Sequence, residues 1–126
     1  MEGHDRKSFG EWIRARRAEL RLSLRAFATA SGVDPGNLSK YERGLLPPPQ
    51  DQERLHAMAI ALQLRRGSDS YRHFLDLAAA GAGRIPPDLA NDADLVKRLP
   101  LLFRTARDRR LTLEQVVELA RRIRES

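Results

Sequence analysis

The sequence has no cysteine. That excludes a disulfide scaffold and any thiolate-based metal or redox site. Its apolar runs are only a few residues long, far short of the roughly 20 that a membrane-spanning helix needs. The first residues, MEGHDRKSFGEW, are polar throughout and lack the apolar core of a secretion signal, so a cytoplasmic location is expected. Lysine is scarce, three residues beside twenty arginines. Alternating or β-branched runs are few, which argues against a sheet. There is no internal repeat and no low-complexity tract. His4, His56 and His73 lie far apart and form no HxxxH-type ligand pair, so neither a metal site nor a cofactor is expected. No paired carboxylates, activated nucleophile or phosphate loop stands out, and an enzyme is the least favoured class.

What remains is a chain of 126 residues, 32% charged, with a net charge of +6. This length fits one domain, or one domain with a helical extension, and can bury about two-thirds of its unfolded surface without metal or disulfides. The positive balance suits an anionic partner. It is not concentrated in the first half: residues 1–64 carry a net +2 and residues 65–126 a net +4.

Helical spacing of apolar residues recurs along the chain and predicts an all-α fold. The first helix is expected from Ser8 to Leu20, with Ser8 and Glu11 as a capping box and Phe9, Ile13 and Leu20 on one face, widened by Trp12. A second begins at the N-cap Ser23 and ends at Gly32. A third is capped by Asp34, carries Pro35 in its first turn, where the missing N–H does no harm, and ends at Gly44. Prolines in LLPPPQ stop it from continuing. Further helices are expected over 51–64, 69–80, 92–107 and 112–124, with Pro100 kinking or breaking the 92–107 segment and Thr112–Gln115 capping the last one. This divides the chain into a domain over 1–80, a linker over 81–91 and a helical extension over 92–126. His73 and Asp76 read as a surface pair one turn apart.

The most informative stretch is LRAFATASGVDPGNLSKYER, residues 24–43. Leu24, Phe27, Ala28, Val33, Leu38 and Tyr41 face a shared interior. Ala28 is small where two helices cross, and Gly32 tolerates the positive φ of a tight turn. The polar residues of the second helix of the pair are left outward. That arrangement holds one helix against a duplex while the other presents side chains to it. Ser31 stands where an apolar or small residue is usual, and its hydroxyl can return to a backbone carbonyl.

FGEWIRARRAEL, LSLRAFATASGV and DPGNLSKYERGLLPPP, followed by an apolar helix, resemble the lambda-repressor-like, or XRE-type, helix-turn-helix family. The resemblance covers about residues 8–64. It implies a five-helix domain, completed by residues 69–80; the two-helix extension read from apolar spacing lies beyond it. It also implies an ion pair between Arg17 and Glu42, since the family commonly pairs an Arg of helix 1 with a Glu ending helix 3. Arg21 stands where the family often has Gly. In such a docking, Gly36, Asn37, Ser39 and Lys40, behind Pro35, would face base edges in the major groove. Ser23 and Arg25, at the start of the second helix, would reach a phosphate. Arg43 and the Gly44 N–H lie where the family clamps another.

The implied activity is sequence-specific binding of double-stranded DNA by a transcriptional regulator, a repressor acting as a homodimer in the nucleoid. Two other readings stay open. One is an antitoxin or phage-type regulator whose C-terminal half binds a regulatory protein partner. The other is an interaction module that keeps the fold without DNA binding. The amphipathic extension either packs on the first five helices, dimerises or docks a partner. Arg104, Arg107, Arg109 and Arg110 form the densest basic cluster, read first as a solvated face and second as a DNA contact.

Overall fold

The computed structural model describes residues 7–125, and among them every regular element is helical. The elements are α1 (Phe9–Glu19), α2 (Leu24–Ser31), α3 (Pro35–Glu42), α4 (Gln52–Ala61), α5 (Asp69–Gly81), α6 (Pro87–Ala90), α7 (Ala93–Arg109) and α8 (Leu113–Glu125). The all-α class read from the sequence is therefore the observed one.

Short polar residues start these helices. Ser8 and Glu11 form a reciprocal capping box on α1. The side chains of Ser23, Asp34, Asp51, Ser68 and Asp92 each accept a backbone N–H of the helix that follows. Thr112 and Gln115 exchange hydrogen bonds of 2.9 and 3.2 Å at the start of α8. Each cap satisfies a donor that the helix itself cannot pair.

The apolar faces collect into two clusters. The first contains Phe9, Ile13, Phe27, Val33, Leu38, Leu55, Met58, Leu62, Phe74 and Leu77, with Trp12, Tyr41 and Tyr71 on its margin. It is shared by α1 to α5: α3 lies against α1 and α2, α2 against α4, and α5 against α1 and α4. The second contains Ala80, Leu89, Leu95, Leu102, Val117 and Ala120, between the end of α5 and helices α6 to α8. Helix α8 packs along α5, and α7 packs on α8 and α6.

Four sequence expectations are corrected. Within the segment read as a linker, Pro87–Ala90 form a helical turn that buries Leu89, so three helices rather than two follow α5. Pro100 does not break its helix: α7 runs unbroken from Ala93 to Arg109, because a single missing N–H strands only the Val96 carbonyl on an exposed face. Helix α4 ends at Ala61, not near 64. Gln63 turns to φ +57°, and Arg16 reaches across from α1 to donate to the carbonyls of Leu62 (3.0 Å) and Gln63 (3.3 Å). His73 and Asp76 are not a surface pair, because α8 covers that side of α5. Asp76 is buried and receives two hydrogen bonds from Arg121, at 2.7 and 2.9 Å. His73 lies edge-on to Trp12 and 3.8 Å from Glu118.

Arg121 is the polar centre of the second half. It is 8% exposed and also donates to Asp88 of α6, which receives a further bond of 2.7 Å from Arg124. Burial pushes the Asp76 carboxyl above its ordinary range, and Arg121 offsets only part of that. The half-exposed Asp88 carboxyl is held below its ordinary range by the Arg121 hydrogen bond.

Candidate nucleic-acid interface

Three local features hold α3 in place. Gly32 adopts φ +73°, closing α2 and turning the chain into α3 within three residues. Asp34 then accepts the Asn37 N–H at 3.1 Å, and Pro35 occupies the first turn. At the far end of α3, Gly10 of α1 allows close approach. A Cβ there would sit 2.3 Å from the Tyr41 carbonyl oxygen and 2.7 Å from that of Glu42, so α1 crosses the end of α3 at backbone contact. Sequence reasoning missed Gly10, although a glycine inside a helical pattern is itself a sign of close packing.

Arg17 and Glu42 join the same two helices. Two parallel bonds of 2.7 and 2.9 Å link guanidinium and carboxylate, and Arg17 donates a third to the Leu22 carbonyl at 3.0 Å. Glu42 is buried. Its hydrogen bond raises the already high pKa of Arg17, against a smaller opposing effect of burial. Ser31, also buried, donates to the Phe27 carbonyl at 2.8 Å, which satisfies its hydroxyl inside the α2–α3 junction.

The outward side of α3 carries the residues singled out for base contact. Gly36, Asn37 and Lys40 are exposed, and the side chains of Asn37 and Lys40 have no hydrogen-bond partner among the described residues. Ser39 is half-buried and its hydroxyl accepts from Arg43 Nε at 3.2 Å. The residue singled out for base contact and the one singled out for phosphate are thus already joined. Leu38, between Asn37 and Ser39, is fully buried and anchors the helix.

The residues singled out for phosphate flank this surface. Ser23 and Arg25 are exposed at the start of α2. The Ser23 oxygen accepts the Ala26 N–H at 3.0 Å, which leaves its hydroxyl proton available to an anion. Arg25 has no partner among the described residues. Arg43 and Gly44 are exposed after α3. The Gly44 N–H closes the turn onto the Tyr41 carbonyl at 3.2 Å, so a phosphate would compete with that bond.

Chemically, the face offers amide, ammonium, hydroxyl and guanidinium donors beside a helix N-terminus. It holds no group of three or more potential metal ligands among the described residues. No described helix is long and apolar enough to cross a membrane. Neither a curated protein nor a solved structure matches the chain. Helices α2 and α3, joined by a short turn and fixed by a buried anchor within α3, form a helix-turn-helix with Asn37 and Lys40 free on its outer side, and residues 8–69 of this chain match the family model of a helix-turn-helix domain.

Proposed function

We propose that this protein is a sequence-specific, double-stranded DNA-binding transcriptional regulator of the lambda-repressor-like, XRE type, acting in the cytoplasm on the nucleoid. The carrying observation is the outer side of α3, where Asn37 and Lys40 are exposed with unused hydrogen-bonding capacity beside a buried anchor, Leu38. In the major groove, Lys40 donates to guanine O6 or N7, and Asn37 pairs with adenine or reaches a phosphate. Gly36 admits the groove edge closely, and Ser39 contributes a hydroxyl. Ser23 and Arg25 hold one phosphate and Arg43, with Gly44, another. The protein represses as a homodimer on a pseudo-palindrome, with reading heads roughly 34 Å apart. It needs no cofactor and catalyses no reaction.

Genome-wide mapping of binding sites for the intact protein, followed by salt-titrated mobility shifts on the recovered duplexes, tests this reading. Discrete sites sharing a symmetric sequence, with affinity falling as salt rises, are expected. Absence of salt-dependent duplex binding at any sequence would make the fold an interaction module instead.

A second reading adds to the first: the C-terminal half also binds a regulatory protein, as in an antitoxin or phage-type regulator. It is favoured by the outward side of α7, which leaves Val96, Leu101 and Phe103 exposed although the other large apolar side chains of the extension are buried or half-buried.

A further inference from the structure

The inner side of α7 is accounted for. Leu95 and Leu102 belong to the second cluster, with Leu99 half-buried against it, and Ala106 is buried on the same side of the helix. The outer side is unusual. Val96 and Phe103 are each 42% exposed and Leu101 is 63% exposed. Val96, Pro100 and Phe103 follow the i, i+4, i+7 spacing of one ridge, whereas Leu101 begins a second, about 100° around the helix. Between and beside the two ridges stand Lys97, Arg104 and Arg107. All three are exposed and none has an ion-pair partner among the described residues. Two exposed carboxylates, Asp94 and Asp108, flank Leu101 about two turns away on either side, so the face carries a net positive charge between its apolar ridges rather than cations alone.

Resting on the reading that the C-terminal half binds a regulatory protein, we propose that this face of α7 docks an acidic amphipathic helix of another protein, whose apolar side chains cover Val96, Leu101 and Phe103 while its carboxylates meet Lys97, Arg104 and Arg107. The charge pattern selects among occupants. A second copy of the chain, laid antiparallel on the same face about Pro100, sets Lys97 against Phe103 and Arg104 against Val96, so each cation would lose water to an apolar side chain with no carboxylate to meet it. A duplex would neutralise the cations but leave the two apolar ridges without apolar surface to cover them. A helix bearing both carboxylates and apolar residues satisfies both halves of the pattern, in the helix-in-groove manner.

The test places a benzophenone-bearing amino acid at position 103 of the full-length protein, produced at its natural level, and sequences whatever peptide is captured on illumination. A control protein carries the same photoprobe at Ile60, an exposed apolar position on α4. The expected product from position 103, and not from 60, is a peptide of one other protein with Asp or Glu interleaved with apolar residues at helical spacing. The double charge reversal Lys97→Glu with Arg104→Glu should lower its yield about tenfold or more. Circular dichroism and duplex binding of the same variants, measured in parallel, should be unchanged. Capture of a second copy of this chain, of DNA, of a peptide lacking acidic residues, or of nothing above the control overturns the proposal. So does a yield that survives charge reversal. Loss of duplex binding by the unaltered protein would instead overturn the DNA reading, and leaves the photocapture result standing by itself.

Discussion

At the residue scale, backbone geometry and free donors carry the argument. Arg21, between α1 and α2, adopts φ +55°, and the turn is closed by Leu22 N–H on the Arg17 carbonyl. A side chain in that left-handed region costs roughly 1 kcal/mol relative to glycine. Arg21 is exposed and has no partner among the described residues. Arg21→Gly should therefore raise stability by about 0.5–1 kcal/mol in urea unfolding, and a loss of stability would refute the strain argument. The proposed contact residues divide by what they would read. Lys40→Ala should lower specific affinity by about 1–3 kcal/mol and relax preference at one base position. Arg43→Ala should weaken all duplexes alike and reduce the salt slope by about one unit. Base-preference profiles and salt titrations of both variants separate the roles, and an unaltered profile for Lys40→Ala would remove it from base reading.

At the element scale, the docking of α8 on α5 depends on a buried charge. Removing one partner of such a pair leaves the other uncompensated, at a cost of about 3–5 kcal/mol. Arg121→Met should thus be strongly destabilising at neutral pH, because Asp76 stays buried without its guanidinium. The pH dependence gives this a distinct sign. Asp76 already titrates above its ordinary range, and loss of Arg121 takes away the foremost influence holding it down. A carboxyl whose folded pKa exceeds its unfolded value of about 3.9 costs stability above the folded pKa and regains it as pH falls through that value. The variant should become more stable on acidification from neutral pH, until it nears the ordinary carboxylate range. In the unaltered protein Asp88, held low, acts oppositely, and its contribution disappears as pH falls through its folded value. Chemical denaturation between pH 7 and 4.5 decides the matter: a variant whose stability only falls would contradict it. Asp76→Leu with Arg121→Met should recover most of the loss, since apolar replacement of a buried pair is often neutral. This pairing also marks the limit of what could be read in advance. Caps and apolar periodicity are local signals, so α1 to α5, α7 and α8 were legible near their true bounds. The four residues of α6 are too few to show a period and begin on the second of two prolines, so they read as linker. Asp76 and Arg121 lie on different helices, and no spacing links them. On the candidate site, the exposure of Asn37 and Lys40 followed from periodicity. The engagement of Ser39 by Arg43 and of the Gly44 N–H by Tyr41 did not, because both depend on how the end of α3 is finished.

At the scale of the whole molecule, the two clusters meet along α5. Helix α8 lies on α5, and α5 connects to α3 by two routes, through α1 and through α4 and α2. A single α3 of eight residues spans only about 12 Å along its axis. As the proposed reading helix it would span too few base pairs to find one site among the many in a genome, and specificity would then require a second head on the same face of the duplex. In a symmetric dimer the heads are held one helical turn apart, and the phase between half-sites becomes part of the recognition. Inserting about five base pairs between the half-sites turns one of them to the opposite face. Affinity should then fall about tenfold or more, toward that of an isolated half-site, with each tenfold corresponding to about 1.4 kcal/mol. The complex on the original site should have the mass of two chains per duplex. On the half-turn insertion a one-chain complex should accumulate first. Two chains binding with equal affinity at both spacings would show heads that act independently, and the homodimer would have to be given up.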